Sequence, residues 1–487
     1  MPCGVVVVVF GASGDLTQRK LGPALHSLAC TGQLPSSTQI IGVSRTVLSD
    51  AAFRDRLYQG VEDYARLKPD SKLCSQWPSF EDRFSYLAGA LDDPQTYARL
   101  RQRLAKAGGG SEGDIPVLFY LAIPPQGVPT VVQRIAEAGL HRSPRAWRRV
   151  VFEKPFGTDR QSAAELNQLT RTLFREPQVY RIDHYLGKET VQNLLSLRFA
   201  NTAFAPLWCR EHVDHLQITL AESDGVGKRA QTYDRTGVVR DILQNHGLQL
   251  LALAMMEPPD GLDARSLRDA KRDVLQAIRT PSLDDVVLGQ YAAYRDEAGV
   301  QEASRTPTYV AVRLHVDTWR WRGVPVYVRS GKRLPTKTTE ITVQFKTPNS
   351  PFPLTSPLHP NRLMVQLDPC EGLQLQVETK VPGAGLVTKP TDLVFHYADH
   401  FGARALPDAY ERLLLDALQG DPSLFLRDDE IEACWSVVEP LLSLHENPQF
   451  LLAEYADGSW GPEAADALIE ADGRAWLSEC TCTHRPT

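Results

Sequence analysis

The chain has 487 residues, with 53 Lys and Arg against 59 Asp and Glu, for a formal charge of −6. That length is too great for one small core, so two domains are expected. A hydrophobic fraction of 43% and a charged fraction of 23% exclude extensive disorder. The acidic balance and the lack of a basic block argue against nucleic acid as a partner, but leave room for a local cationic pocket. The longest apolar runs, Val5–Phe10 and Leu250–Met256, are too short to span a bilayer, and residues 1–4 carry no basic leader. Cys3, Cys30, Cys74, Cys209, Cys370 and Cys434 are scattered singly, which suits reduced thiols in a cytoplasm. Cys480 and Cys482, with His484 near them, fall short of a metal-ligand set, so an ordinary tail and no metal are expected.

In chain order, Val5–Phe10 is a β-branched run typical of a strand buried on both faces. A turn, Gly11-Ala12-Ser13-Gly14, follows. Leu16–Cys30 then reads as a helix with Leu21, Leu25 and Leu28 on one face, ending at Gly32. Ile40–Val43 is the second strand, completing a βαβ unit. Val117–Ala122 and Arg149–Glu153 are further strands of this type, with a helix over Val128–Ala138 between them and a surface loop at Gly108–Gly113. Beyond Arg181 the strands alternate: His215–Ala221, Tyr309–Val316, Val324–Arg329, Glu340–Lys346, Leu363–Leu367 and Leu373–Lys380. Alternation is antiparallel-sheet behaviour, with one face buried and one free. Helices are expected over Val238–Met256 and Ala409–Gln419, and a proline-rich loop over Pro348–Pro360. The expected architecture is a Rossmann-like α/β dinucleotide domain, residues 1–181. An α+β domain with a large, mainly antiparallel open sheet follows, residues 182–487. The sheet's free face argues for self-association.

Gly11, Ala12, Ser13 and Gly14, followed by Asp15 and Leu16, sit where a pyrophosphate would meet a helix N-terminus. A tight turn with no ligand is the alternative reading. Strand two ends Gly42-Val43-Ser44-Arg45. There is no carboxylate for ribose hydroxyls, and Arg45 is placed to pair with a 2′-phosphate, which favours NADP over NAD. A solvated surface arginine remains the alternative.

Three further groups point to an anionic substrate. Glu153-Lys154-Pro155-Phe156-Gly157 lies at the end of a parallel-type strand, where catalytic groups of such sheets gather. In Arg181–Glu189, a helix start would put His184 and Lys188 on one face beside Tyr185, a phosphate clamp, with Asp183 as cap or orienter. Arg240-Asp241-Ile242-Leu243-Gln244-Asn245-His246 enters a strongly apolar helix, where a partly desolvated histidine can serve as a base or simply as a core residue. A basic group, Arg329-Ser330-Gly331-Lys332-Arg333 with Lys337, is weaker: anion site or solvated loop.

Taken together, these motifs resemble the glucose-6-phosphate dehydrogenases over nearly the whole chain. The resemblance also rests on Phe119–Pro125, Leu406–Arg412 and Gly458–Asp466. It implies oxidation of a sugar 6-phosphate at C1 to the lactone with NADP as acceptor, the first step of the pentose phosphate pathway. It implies His246 as base and Asp183 as its orienter. His184, Tyr185, Lys188 and Lys337 would hold the phosphate. Lys154, Glu222, Asp241 and Lys332 would complete the substrate contacts, and Tyr120 and Lys154 would join the glycine turn at the cofactor. A homodimer, or a dimer of dimers, through the C-terminal sheet is also implied. Asp368 departs from the glutamine usual in the family, and Thr338 and Thr342 stand where some relatives place basic residues for a second NADP. The rival readings are an oxidoreductase of the glucose–fructose type, which has no need of a phosphate clamp, and a non-catalytic NADP-binding dimer.

Overall fold

A computed structural model describes residues 4–69, 74, 77–108, 115–261, 263–349, 358–383, 385–402 and 406–477. Cys3, most of the Gly108–Gly113 loop, positions 350–357 of the proline-rich loop, and the Cys480, Cys482 and His484 tail lie outside them. The chain forms two compact units. One is Met1–Lys188 with Asp263–Arg268 and Leu406–Ile431; the other is Glu189–Leu262 with Asp269–Ala405 and Glu432–Thr487.

The first unit carries strands β1 (Val6–Phe10), β2 (Gln39–Ser44), β3 (Phe84–Ala88), β4 (Val117–Leu121), β5 (Arg148–Phe152) and β6 (Val179–Ile182). The second carries β7 (Val213–Ala221), β8 (Val286–Tyr291), β9 (Tyr309–His315), β10 (Pro325–Gly331), β11 (Thr338–Phe345), β12 (Arg362–Asp368), β13 (Gly372–Lys380) and β14 (Thr388–His396). A short β15 (Phe425–Leu426) returns to the first unit, and β16 (Leu452–Tyr455) belongs to the second.

Among the described residues the first sheet has the order β15-β6-β5-β4-β1-β2-β3. It is parallel except where β15 pairs antiparallel with β6. Four consecutive valines make β1 stiff and apolar on both faces, and it is wholly buried at the sheet centre. The neighbours of β1 are β2 on one side and β4 on the other, so the sequence order reverses here. Ligands bind at such reversals, beyond the carboxyl ends of the strands.

The second sheet runs β14-β13-β12-β11-β7-β10-β9-β8-β16. It is antiparallel except for the β7–β10 and β8–β16 pairs. The α/β plus mainly antiparallel architecture agrees with the reading from sequence.

Three local expectations are corrected. Leu16–Cys30 is not one regular helix: Thr17–Leu21 is wound as a wider π turn before the α-helix Gly22–Cys30. Val238–Met256 divides in the same way, with a π segment Val239–Gly247 and then an α-helix Leu248–Met255. Arg181–Glu189 is not a helix start either. β6 runs to Ile182, Asp183 caps a single 3-10 turn His184–Gly187, and Lys188 is extended before the helix Glu189–Phe199. His184 and Lys188 therefore do not share a helical face.

The cysteines are corrected as well. Cys30 and Cys74 form a disulfide, with Cα atoms 5.4 Å apart, because the fold brings the end of a helix beside a segment 44 residues on. Such proximity leaves no mark in the spacing of single cysteines. Cys370 is also disulfide-bonded, whereas Cys209 and Cys434 are free and buried.

Candidate active site

In the first unit, β1 delivers the chain into the glycine turn. Gly11 has φ +83°, and a Cβ there would lie 2.0 Å from the Ala122 carbonyl oxygen, so no other residue fits. Its N–H donates to Val43 O (2.8 Å), and Gly14 N–H donates back to Gly11 O (2.9 Å). Ala12 packs down where Gly42 has no side chain: a Cβ on Gly42 would come within 2.7 Å of the Ala12 Cβ. The Ser13 hydroxyl joins this turn to the end of β2 through Ser44 (2.8 Å) and Thr46 (3.1 Å). Asp15 is exposed and pairs with Arg19 (3.4 Å), and Leu16 leads into the π turn. Arg45 follows β2 directly and is exposed, and among the described residues no carboxylate pairs with it. A close-approach cradle followed by helical N–H groups, with a free guanidinium at the next strand end, fits a dinucleotide.

Lys154 leaves the end of β5 next to a cis Lys154–Pro155 bond. Behind it, Glu153 accepts a hydrogen bond from the Tyr120 hydroxyl (2.5 Å), and Tyr120 itself is fully buried in β4. Burial raises the Glu153 carboxyl above its ordinary range, against the hydrogen bond from Tyr120 and the charge of Lys154.

The β6 end brings up the second group. Asp183 is fully buried, and its Oδ1 accepts from the Tyr185 N–H (3.0 Å). The Lys188 ammonium lies 5.1 Å from the centre of the Tyr185 ring, and the His184 ring lies 5.1 Å from the same ring. Another neighbour of His184 is Tyr410, stacked at 6.1 Å with 14° between the planes. Tyr410 also bonds Glu153, and Lys20 stands 5.9 Å over its ring while pairing with Asp408 (3.2 Å). Tyr410 and Lys20 lie against the candidate site residues and were missed by reasoning from sequence. Lys20 could have been found one helical turn beyond the glycine loop; Tyr410 gave no signal beyond lying in Leu406–Arg412.

In the second unit, one sheet edge gathers the rest. β7 and β10 are parallel neighbours that end together, Ala221 opposite Gly331, so Glu222 and Lys332 emerge side by side. The Lys332 ammonium pairs with the Glu222 carboxylate, lies 4.0 Å from Asp241 Oδ2 and stands 4.9 Å over the Tyr233 ring. Lys332 is 2% exposed, so this cation is held almost dry by two carboxylates. Burial, and then the charges of Asp241 and Glu222, hold the Tyr233 hydroxyl far above its ordinary range, so it stays a neutral phenol. Asp241 and His246 share the π segment, which opens after Gly237 at φ +66°. His246 is buried, its N–H donates to Asn245 Oδ1 (2.7 Å), and Asn245 Nδ2 donates to Arg240 O (3.0 Å). Lys337 precedes β11 at the same sheet edge and pairs with Asp368 at the end of β12 (2.7 Å). Within this unit, then, Glu222, Asp241 and Lys332 form one cluster, and Lys337 pairs with Asp368 at the same edge.

A glycine cradle at the reversal point of a parallel sheet, carried in one chain with an antiparallel sheet bearing a buried histidine and lysine, defines a dinucleotide-dependent oxidoreductase. The chain belongs to the glucose-6-phosphate dehydrogenase family. Residues 8–193 match the family's "NAD binding domain" and residues 195–477 its "C-terminal domain". The chain is 43% identical over 485 residues to the glucose-6-phosphate 1-dehydrogenase of Aggregatibacter actinomycetemcomitans, with 96% of each chain covered. It is 42% identical to that of Mycolicibacterium smegmatis, over 98% of this chain and 97% of the relative. Among solved structures, a glucose-6-phosphate dehydrogenase in complex with glucose 6-phosphate superposes with a TM-score of 0.91 at 35% identity, covering 97% of this chain and 98% of that one. The glucose-6-phosphate 1-dehydrogenase of Mycobacterium avium superposes with a TM-score of 0.85 at 37% identity, covering 98% of each.

Proposed function

We propose that the chain oxidises the C1 hydroxyl of D-glucose 6-phosphate to 6-phospho-D-glucono-1,5-lactone, with NADP as the preferred acceptor. What carries this reading is the second unit's buried cluster. A nearly dry lysine between Glu222 and Asp241, on the segment that also bears a buried histidine, suits a sugar rich in hydroxyls and losing one proton.

The bound dinucleotide supplies the hydride acceptor. Gly11, Ala12, Ser13, Gly14, Asp15 and Leu16 would hold its pyrophosphate, and the exposed Arg45 its 2′-phosphate. Tyr120 fixes Glu153 at the strand end from which Lys154 reaches toward both cofactor and sugar. His246, buried on the π segment, takes the proton from the C1 hydroxyl. Asp183 orients His246 and stabilises the imidazolium that forms. His184, Tyr185 and Lys188, with Lys337, bind the phosphate, which takes no part in the chemistry and so contributes position. Glu222, Asp241 and Lys332 order the sugar hydroxyls.

The edge of the second sheet suits a second copy of the chain. Leu393 and Val394, adjacent in β14 and so on opposite faces, are 57% and 50% exposed. A homodimer through this edge, or a dimer of dimers, would cover them. No described helix is long and apolar enough to cross a membrane. A cytoplasmic location is part of the same reading, since both reactants are charged metabolites retained inside cells.

The test is absorbance at the nicotinamide band with glucose 6-phosphate and either NADP or NAD in separate cuvettes, and with glucose as the control. Reduction of NADP, faster than of NAD and dependent on the phosphorylated sugar, is the expected result. Equal rates with glucose would remove the phosphate clamp from the mechanism.

A further inference from the structure

The stretch His141–Arg149 holds four arginines and a histidine, a density the proposed reaction does not use. It opens onto a cavity of about 600 Å³ within the first unit, among whose lining residues are Arg142, Arg148, Arg149, Arg171 and Arg175 and none of which is a carboxylate. The cavity lies at the amino end of β5. The glycine turn and Lys154 lie at the carboxyl ends of the parallel strands, so the two places are separated by the strand length, roughly 17 Å at 3.3 Å per residue.

Some of these cations are spent on the fold. Arg149 donates to Ala417 O (2.8 Å) and Leu418 O (2.7 Å) and lies 4.0 Å over the Trp147 ring. Arg171 pairs with Asp428 (2.5 Å). The others are not. Arg142 and Arg175 are exposed, and among the described residues no carboxylate pairs with either. Arg148 is 6% exposed and donates through Nη1 to Ile115 O (2.6 Å), but its Nε is buried with no hydrogen-bond partner. His141 Nδ1 is in the same condition. Both atoms are closed to solvent, so they mark an under-satisfied basic wall behind the cavity and not contacts that a ligand makes with the side chains as they stand. Burial also pulls the Arg148 guanidinium down to about 10, and an anion beside it would reverse that shift.

We propose that this cavity is a second anion site that binds a metabolite carrying a polyphosphate group. The concavity is of metabolite size, which argues against a macromolecular partner. The exposed guanidinium forks of Arg142 and Arg175, with no carboxylate among the lining residues, favour a multiply charged phosphate, since each fork can bind phosphate oxygens in pairs. Arg149 already covers one face of Trp147, so recognition rests on charge more than on base stacking.

The experiment is calorimetric titration of the full chain, with glucose 6-phosphate and reduced dinucleotide present so that the reaction site is filled without turnover. Tripolyphosphate is the probe and ATP the second arm. One site per chain is expected, with affinity falling at least ten-fold in R142E/R175E, whose altered side chains are exposed. ATP binding as tightly as tripolyphosphate identifies a nucleoside polyphosphate as the ligand; weaker ATP binding identifies an inorganic chain. The proposal is overturned by the absence of binding, by equal affinity in R142E/R175E, or by loss of binding in K188A, which would place the probe in the sugar-phosphate clamp. Retention of dehydrogenase activity by R142E/R175E shows that the variant is folded.

Discussion

At the scale of the residue, the proposed reaction rests on one proton acceptor and one set of cations. Replacing His246 by Asn should lower kcat by roughly 10²–10⁴-fold with little change in KM, the usual contribution of a general base. An unchanged kcat would remove it from the mechanism. Asp368 makes a sharper case because its carboxylate lies 2.7 Å from the Lys337 ammonium, which is 57% exposed. The carboxylate offsets a charge assigned to the phosphate and also repels the phosphate itself. An exposed pair of this kind is worth at most about 1 kcal/mol. Asp368→Gln should therefore lower the KM for glucose 6-phosphate roughly two- to five-fold and leave kcat alone, and in a K337A background the gain should shrink to the part that comes from direct repulsion. A KM unaffected by either change would place Lys337 outside the substrate site.

Individual residues of the candidate site were legible in the sequence where the signal was local. Gly11 to Gly14 follow a valine run, and Asp183 to Lys188 crowd one short stretch. Tyr410 was not legible as a site residue, because its place against His184 and Glu153 is made by a chain return from more than two hundred positions away. The Cys30–Cys74 bond was missed because its two cysteines, 44 positions apart, are brought together only by the fold.

At the scale of the element, alternation and β-branched runs located the central strands of both sheets, because burial on one or both faces writes itself into composition. β14 escaped, since Thr388-Lys389-Pro390-Thr391-Asp392 carries polar residues and a proline where no core selects against them. The π segments escaped too: a helix that widens by one residue per turn keeps the apolar spacing of an α-helix nearly intact.

The last described stretch of chain is held by charge. Arg474 pairs with Asp214 (2.9 Å), and Asp472 accepts from Arg313 (3.0 Å) and from the Tyr327 hydroxyl. Asp214 is held well below the usual carboxylate range, chiefly by His215 and then by Arg474. Asp472 is lowered despite its burial, by Tyr327 and Arg313. Carboxyls depressed in the folded state contribute stability that is present above their unfolded pKa near 4 and is lost as pH falls through the folded values. Protection factors for amide hydrogen exchange across Gly473–Leu477, corrected for the intrinsic rate at each pH, should therefore be high at pH 7 and fall below about pH 4, before global unfolding. Protection that persists into strong acid would show that Trp476, whose indole donates to Ala465 O (2.9 Å), holds the segment without these pairs.

At the scale of the whole molecule, β14 is exposed on both faces and is the outermost strand among the described residues, a configuration that invites a partner. Light scattering should give at least twice the chain mass for the native protein, and L393D/V394D should shift it toward the monomer with a loss of thermal stability. A native protein that is monomeric at micromolar concentration would rule out the dimer.

The return of Leu406–Ile431 to the first unit has a consequence for synthesis. The helix Ala409–Gln419 packs on the turn His184–Gly187 so closely that a Cβ on Gly187 would lie 2.6 Å from Ala409 O, and β15 closes the β6 edge. A ribosome releasing this chain amino end first therefore holds an unfinished nucleotide-binding unit, its outer strand unpaired and its clamp turn uncovered. Most of the second unit must be made before the missing piece emerges. Translation itself would leave an interval in which that open edge is available to chaperones or to neighbouring nascent chains, and an amino-terminal fragment ending at Lys188 would remain in that state.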